Sequence, residues 1–148
     1  MRAFLALTAA LSIAAAPAAA QTDVLGRWAT PGVSAVVELA RCGDAQTLCG
    51  TIHWLWDAVD ARGRPRPDAN NTDQSLRTRP MVGLSILSDL KPRADGWSGQ
   101  IHNPEDGQTY RATLRRVAAD TLEIEGCVLV ICRKQIWRRA SALAEALR

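Results

Sequence analysis

The sequence predicts an all-β domain, an eight-stranded up-and-down antiparallel barrel with a short C-terminal helix. Three observations carry that prediction. Eight short runs of strand-forming residues follow one another along the chain. Most gaps between them are short and hold turn-forming residues. Two runs, Tyr110-Arg111-Ala112-Thr113-Leu114 and Leu122-Glu123-Ile124-Glu125, alternate apolar with polar residues, as strands with one wet face do. Short connections favour pairing of each strand with the next. Eight such neighbours either close on themselves or leave two exposed edges, and closure removes the edges. A two-sheet sandwich is the runner-up, but it needs several long crossovers and the sequence offers one.

The chain opens with MRAFLALTAALSIAAAPAAA. Arg2 gives a short positive start, Phe4 to Ala16 are uncharged, Pro17 breaks the helix, and Ala18-Ala19-Ala20 is a small-residue cleavage pattern. Residues 1–20 are therefore expected to be a cleaved signal peptide. The apolar run stops short of the roughly 20 residues a spanning helix needs, and no later stretch approaches that length. The first cysteine is Cys42, so no lipid-anchor site borders the cleavage point. Cleavage removes 20 of the 148 residues, which leaves 128, enough for one domain. It also removes one base, Arg2, and no acid, so the net charge falls from +3 to about +2. Such a balance argues against nucleic acid as a partner.

The eight expected strands are Val24–Thr30, Ser34–Cys42, Cys49–Trp56, Val82–Leu90, Trp97–His102, Gln108–Val117, Thr121–Cys127 and Ile131–Arg138. Between them lie Pro31-Gly32, Gly43-Asp44, Pro92 to Gly96 and Asn103 to Gly107. These residues turn the chain because Gly reaches positive φ, Pro fixes φ, and Asn or Asp bonds its own backbone. The one long connection runs from Asp57 to Arg79 and contains Arg62-Gly63-Arg64-Pro65-Arg66-Pro67, which is too charged for a core. The barrel domain is expected over residues 21–139, with 140–148 as a short helix or tail.

All four cysteines, Cys42, Cys49, Cys127 and Cys132, follow the signal, which in an oxidising compartment reads as two disulfides. Of three connectivities, Cys42–Cys49 with Cys127–Cys132 is favoured, because each pair straddles a short turn. The expected compartment is periplasmic or secreted. Metal binding fails on spacing: neither pair is a two-residue knuckle, and His53 and His102 sit in no zinc-like pattern.

After the signal the chain holds five Trp, one Tyr and no Phe. Trp54 and Trp56 share Ile52's face by the i, i+2 rule, and Trp97 lies on another strand. They are candidate lining for a ligand cavity, or simply filler for a narrow barrel; the sequence leaves both readings open. Gly26-Arg27-Trp28 opens the first strand and Trp137-Arg138-Arg139 closes the last. First and last strands are neighbours in a closed barrel, so an arginine can stack on Trp28 there and plug one end. Gly26, Trp28, Trp137 and Arg139 are the expected closure residues.

Gly-x-Trp before an eight-stranded meander, with Arg on the final strand, resembles the calycin superfamily that includes the lipocalins. Several blocks resemble the bacterial domain-of-unknown-function family 2147 (DUF2147) more specifically. They are Gly26-Arg27-Trp28, Leu48 to Ile52, Leu76-Arg77-Thr78-Arg79-Pro80-Met81-Val82-Gly83-Leu84, Trp97 to Ile101, Asn103-Pro104-Glu105-Asp106-Gly107-Gln108-Thr109-Tyr110, Gly126-Cys127 and Gln135 to Arg139. The resemblance implies an exported protein with a lipocalin-like barrel and no established reaction. His53 replaces the family's usual aliphatic residue and His102 its usual Tyr, so neither inherits a role; both read as solvent-facing.

No nucleophile elbow or phosphate loop occurs, no catalytic constellation is visible and no cofactor is implied. The first functional expectation is a carrier or sensor of a small amphipathic or anionic ligand. Its tail would meet Trp54, Trp56 and Trp97, and its head group Arg77 or Arg79. The alternative is a protein-binding envelope module, an inhibitor or assembly partner, with a filled barrel.

Overall fold

The computed structural model describes residues 24–146 other than residue 45. The expected signal peptide, residues 1–20, lies outside the described residues. The strands are β1 (Gly26–Ala29), β2 (Ala35–Arg41), β3 (Leu48–Leu55), β4 (Ser85–Arg93), β5 (Gly96–Asn103), β6 (Gln108–Ala118), β7 (Thr121–Val128) and β8 (Ile131–Arg139), followed by helix α1 (Ala140–Ala146). Each strand pairs antiparallel with the next. β1 returns to β8 through Trp28 opposite Arg139 and Ala29 opposite Arg138, so the barrel is closed.

Two strand boundaries, both of β4, depart from the sequence expectation by three residues, and the others by two at most. β4 starts at Ser85 rather than Val82, because the residues before it are held in the preceding loop. There the Gly83 amide donates to the Ile52 carbonyl at 2.8 Å and the Leu84 amide to that of Met81 at 3.0 Å. β4 also runs through Pro92 instead of turning there. Pairing with β3 ends at Leu90, so the missing proline N–H leaves no gap in that ladder.

Apolar side chains from every strand meet in one core. Trp28, Val37, Leu39, Leu48, Ile52, Leu87, Leu90, Trp97, Ala112, Leu114, Leu122, Ile124 and Trp137 all belong to it. Trp28, Val37, Leu87, Leu90, Leu114 and Leu122 have no exposure at all. A side chain without exposure borders no space that could admit water, inside the barrel or out. Around these residues the interior leaves no space for water.

Both hairpin disulfides are present. Cys42–Cys49 joins the β2–β3 ends and Cys127–Cys132 the β7–β8 ends, with Cα separations of 5.8 and 4.1 Å. Each ties together strands that already pair, so the bonds brace turns rather than link distant parts of the sheet. Two disulfides suit an oxidising compartment.

Candidate functional site

One end of the barrel is closed by the first and last strands. The Trp28 indole N–H donates to the Val24 carbonyl at 2.8 Å. The Arg139 guanidinium lies over the Trp28 ring, 4.1 Å from its centre, and donates to the Leu25 carbonyl at 3.1 Å. Gly26 adopts φ +102, a region unfavourable to any residue with a Cβ. Trp137 is buried beside Leu122, its N–H donating to Gln135 Oε1. Among the described residues no buried side-chain nitrogen or oxygen here lacks a partner, which describes architecture rather than chemistry.

The opposite end gathers the C-termini of β3, β5 and β7, since alternate strands of an antiparallel barrel run the same way. Here the long connection folds back on the β5–β6 hairpin. Asp68 is fully buried, and its carboxylate accepts from Asn71 Nδ2 at 2.7 Å and from Arg79 at 3.0 Å, with His102 Nε2 3.0 Å from both oxygens. Burial pushes the Asp68 carboxyl up. Donation from Asn71, His102 and Arg79 more than offsets this and holds it below the usual aspartate range. The Asn70 side chain donates to the Pro104 and Glu105 carbonyls, and the Thr72 amide to that of Gly107. Gly107 has φ +72, and a β-carbon there would stand 1.7 Å from the Asn70 carbonyl oxygen. The loop can seat only on glycine.

This geometry corrects two expectations. His102 faces outward on β5, as its neighbour Gln100 does, yet it is buried because the loop covers it. It is not solvent-facing. Arg77 and Arg79 do not present free head-group binders either. Arg79 is bound to Asp68, and Arg77 Nε donates to the Asn71 carbonyl at 2.6 Å. Both hold the loop. Asp68, which in sequence only diluted the arginine run, is the hub of the cluster.

The expected aromatic lining is also corrected. Trp97 faces inward and is buried against Leu114, whereas Trp54 and Trp56 are 40% and 79% exposed. The cause is a bulge in β3. Val37 pairs with Ile52 and Val36 with Trp54, so His53 is an extra residue that reverses the alternation. Ile52 points in, Trp54 is carried outward with Val36, and Leu55 turns back toward the core. The two indoles meet edge to face on the surface, with ring centres 6.2 Å apart.

A second exposed apolar feature was not anticipated. The β7–β8 turn presents Val128, Leu129, Val130 and Ile131 at 50, 85, 93 and 70% exposure, just beyond the Cys127–Cys132 bridge. Its signal was legible, since Val-Leu-Val-Ile stands where a tight turn ordinarily takes Asn or Gly. The Asp68–His102 pairing left no such trace. Glu125 lies close to the same bridge, but both sulfurs are consumed in the S–S bond and offer no thiolate to a metal. A solvent-open groove of about 370 Å³ lies between the β2–β3 turn and the end of β4, lined by Asp44, Gln46, Thr47, Lys91 and Pro92. It holds none of the expected site residues.

Among the described residues no helix is long and apolar enough to cross a membrane. A family model described as "Uncharacterized protein conserved in bacteria (DUF2147)" matches residues 26–139. Among solved structures, protein HP1028 from Helicobacter pylori is similar, with a TM-score of 0.67 and 20% identity, over 82% of this chain and 87% of that one. It is described as belonging to the lipocalin family. At that identity the likeness speaks to the fold, an eight-stranded lipocalin-like barrel. None of the curated proteins matches this sequence.

Proposed function

Because the chain belongs to the DUF2147 family of bacterial proteins, we propose that it is a non-catalytic, periplasmic binding module of the bacterial envelope that engages a protein partner from outside a filled barrel. The observation that carries this reading is the outward Trp54–Trp56 pair on the wall of a closed barrel. Exposed indoles held edge to face offer rigid apolar area, and tryptophan is among the residues that dominate binding energy at protein interfaces. The barrel behind them serves as a stiff mount. The run Arg62, Arg64 and Arg66 lies on the connection that follows Trp56 and adds polar rim contacts, although Arg64 and Arg66 are already engaged by Asp60 and Asp57.

The test is recovery of envelope proteins on the exported, oxidised chain, compared with Trp54→Ala/Trp56→Ala. Both side chains are exposed, so the variant keeps its fold. A partner retained by the wild type and lost by the variant supports the reading. Equal recovery by both overturns it.

The carrier reading has one observation in its favour, the likeness to a structure described as a lipocalin. Native mass spectrometry of protein taken from its own compartment separates the two. A small molecule that remains bound gives added mass and favours the carrier.

A further inference from the structure

We infer that the β7–β8 tip is a membrane-docking finger that seats in a bilayer surface carrying anionic head groups. The surface is separate from Trp54 and Trp56, so the inference does not rest on the protein-binding reading. Its first support is backbone geometry. Leu129 and Val130 form a two-residue turn between Val128 and Ile131, and Leu129 adopts φ +53. That conformation suits Gly, Asn or Asp and is uncommon for an apolar L-residue. The protein places two large aliphatic residues there although they bury almost nothing within the chain. The Cys127–Cys132 bond clamps the strands directly beneath them.

The second support is shape. The most exposed residues, Leu129 and Val130, stand at the point of the hairpin rather than within a flat patch. A protein partner would need a matching pocket for such a point, whereas a bilayer needs none. Strand residues rise about 3.3 Å each, so the tip reaches roughly 5–7 Å past the disulfide. That matches the roughly 5–10 Å depth to which interfacial apolar segments sink.

The third support is charge. Arg133 follows the bridge, exposed, with no ion pair among the described residues. Arg62, on the long connection at the same barrel end, is likewise exposed, and its side chain has no ion pair among the described residues. Basic side chains at the same barrel end as an apolar point suit phosphate-bearing head groups, to which each contributes attraction within a Debye length.

The experiment is sedimentation of the exported, oxidised full chain with vesicles of phosphatidylglycerol and phosphatidylethanolamine, against phosphatidylcholine alone. Binding should favour the anionic vesicles and weaken with salt. L129E/V130E should lower it about tenfold or more, with an unchanged thermal melt. Leu129→Trp should keep binding, with a vesicle-dependent blue shift and quenching by brominated acyl chains. Trp54→Ala/Trp56→Ala should still bind vesicles even where it loses a protein partner. The inference is overturned if the wild type ignores anionic vesicles or if L129E/V130E binds them as well as the wild type does. Loss of a lipid-free protein complex in L129E/V130E, without vesicle binding by the wild type, would assign the tip to a protein instead.

Discussion

The imidazole of His102 and the carboxylate of Asp68, 34 residues apart in sequence, meet at 3.0 Å beneath the long β3–β4 connection. Asp68 is the buried anchor of that connection, and its three side-chain donors come from three places: Asn71 beside it, Arg79 at the loop's end, and His102 on β5. Truncating a buried charged pair on one side leaves the other side unpaired. Asp68→Ala should therefore destabilise by about 3–5 kcal/mol. His102→Ala, which leaves Asn71 and Arg79 in place, should cost less, about 1–3 kcal/mol. Equilibrium denaturation measures both, and an equal or reversed order would contradict the hub assignment.

Acid should loosen the same cluster. The Asp68 carboxyl lies below its ordinary value in the folded protein. Its contribution to stability is complete above the unfolded pKa, near 4. It is then lost as the pH falls through the lower folded value. The wild type's stability advantage over Asp68→Asn should hold at neutral pH and shrink on acidification below about pH 4. Melting curves across that range check the sign; a constant difference would mean that Asp68 does not titrate as placed.

Gly107 tests whether the loop truly seats on the hairpin. Gly107→Ala puts a methyl group into the Asn70 carbonyl and also strains φ at +72. The loop should lift while the barrel persists. Amide exchange should accelerate over residues 68–79, with the β-sheet signal retained. Unchanged protection in the loop would refute the contact.

Trp28 and Arg139 should be energetically coupled. Trp28→Ala should cost about 3–5 kcal/mol, since a fully buried indole leaves a large cavity. Arg139→Ala should cost less. The double variant should fall short of the sum, because an arginine stacked on an indole is worth about 0.5–2 kcal/mol. A cycle without coupling would leave the 4.1 Å stack without energetic weight.

Processing and oxidation are read from intact mass. The exported chain should begin at Gln21 and lack four hydrogens, and peptide mapping should join Cys42 to Cys49 and Cys127 to Cys132. A product that begins elsewhere would relocate the cleavage site after Ala20.

The sequence by itself determined the eight strands, their antiparallel neighbours, barrel closure and the disulfide pairing. These depend on local alternation, turn chemistry and short loop length, all of which are written within a few residues. The meeting of Trp28 with Arg139 was legible as well, because closure makes the first and last strands neighbours. Tertiary structure alone decided which side of the wall the indoles occupy. One extra residue at His53 reverses the face of everything after it in β3, and no pattern in Ile52-His53-Trp54-Leu55-Trp56 marks the bulge. It also decided the fate of His102, Arg79 and Asp68. A strand's outward face is wet unless something covers it, and a loop from 34 residues away covers this one. Side-chain burial is a property of the assembled surface, and a long loop's resting place depends on contacts that no local sequence window contains.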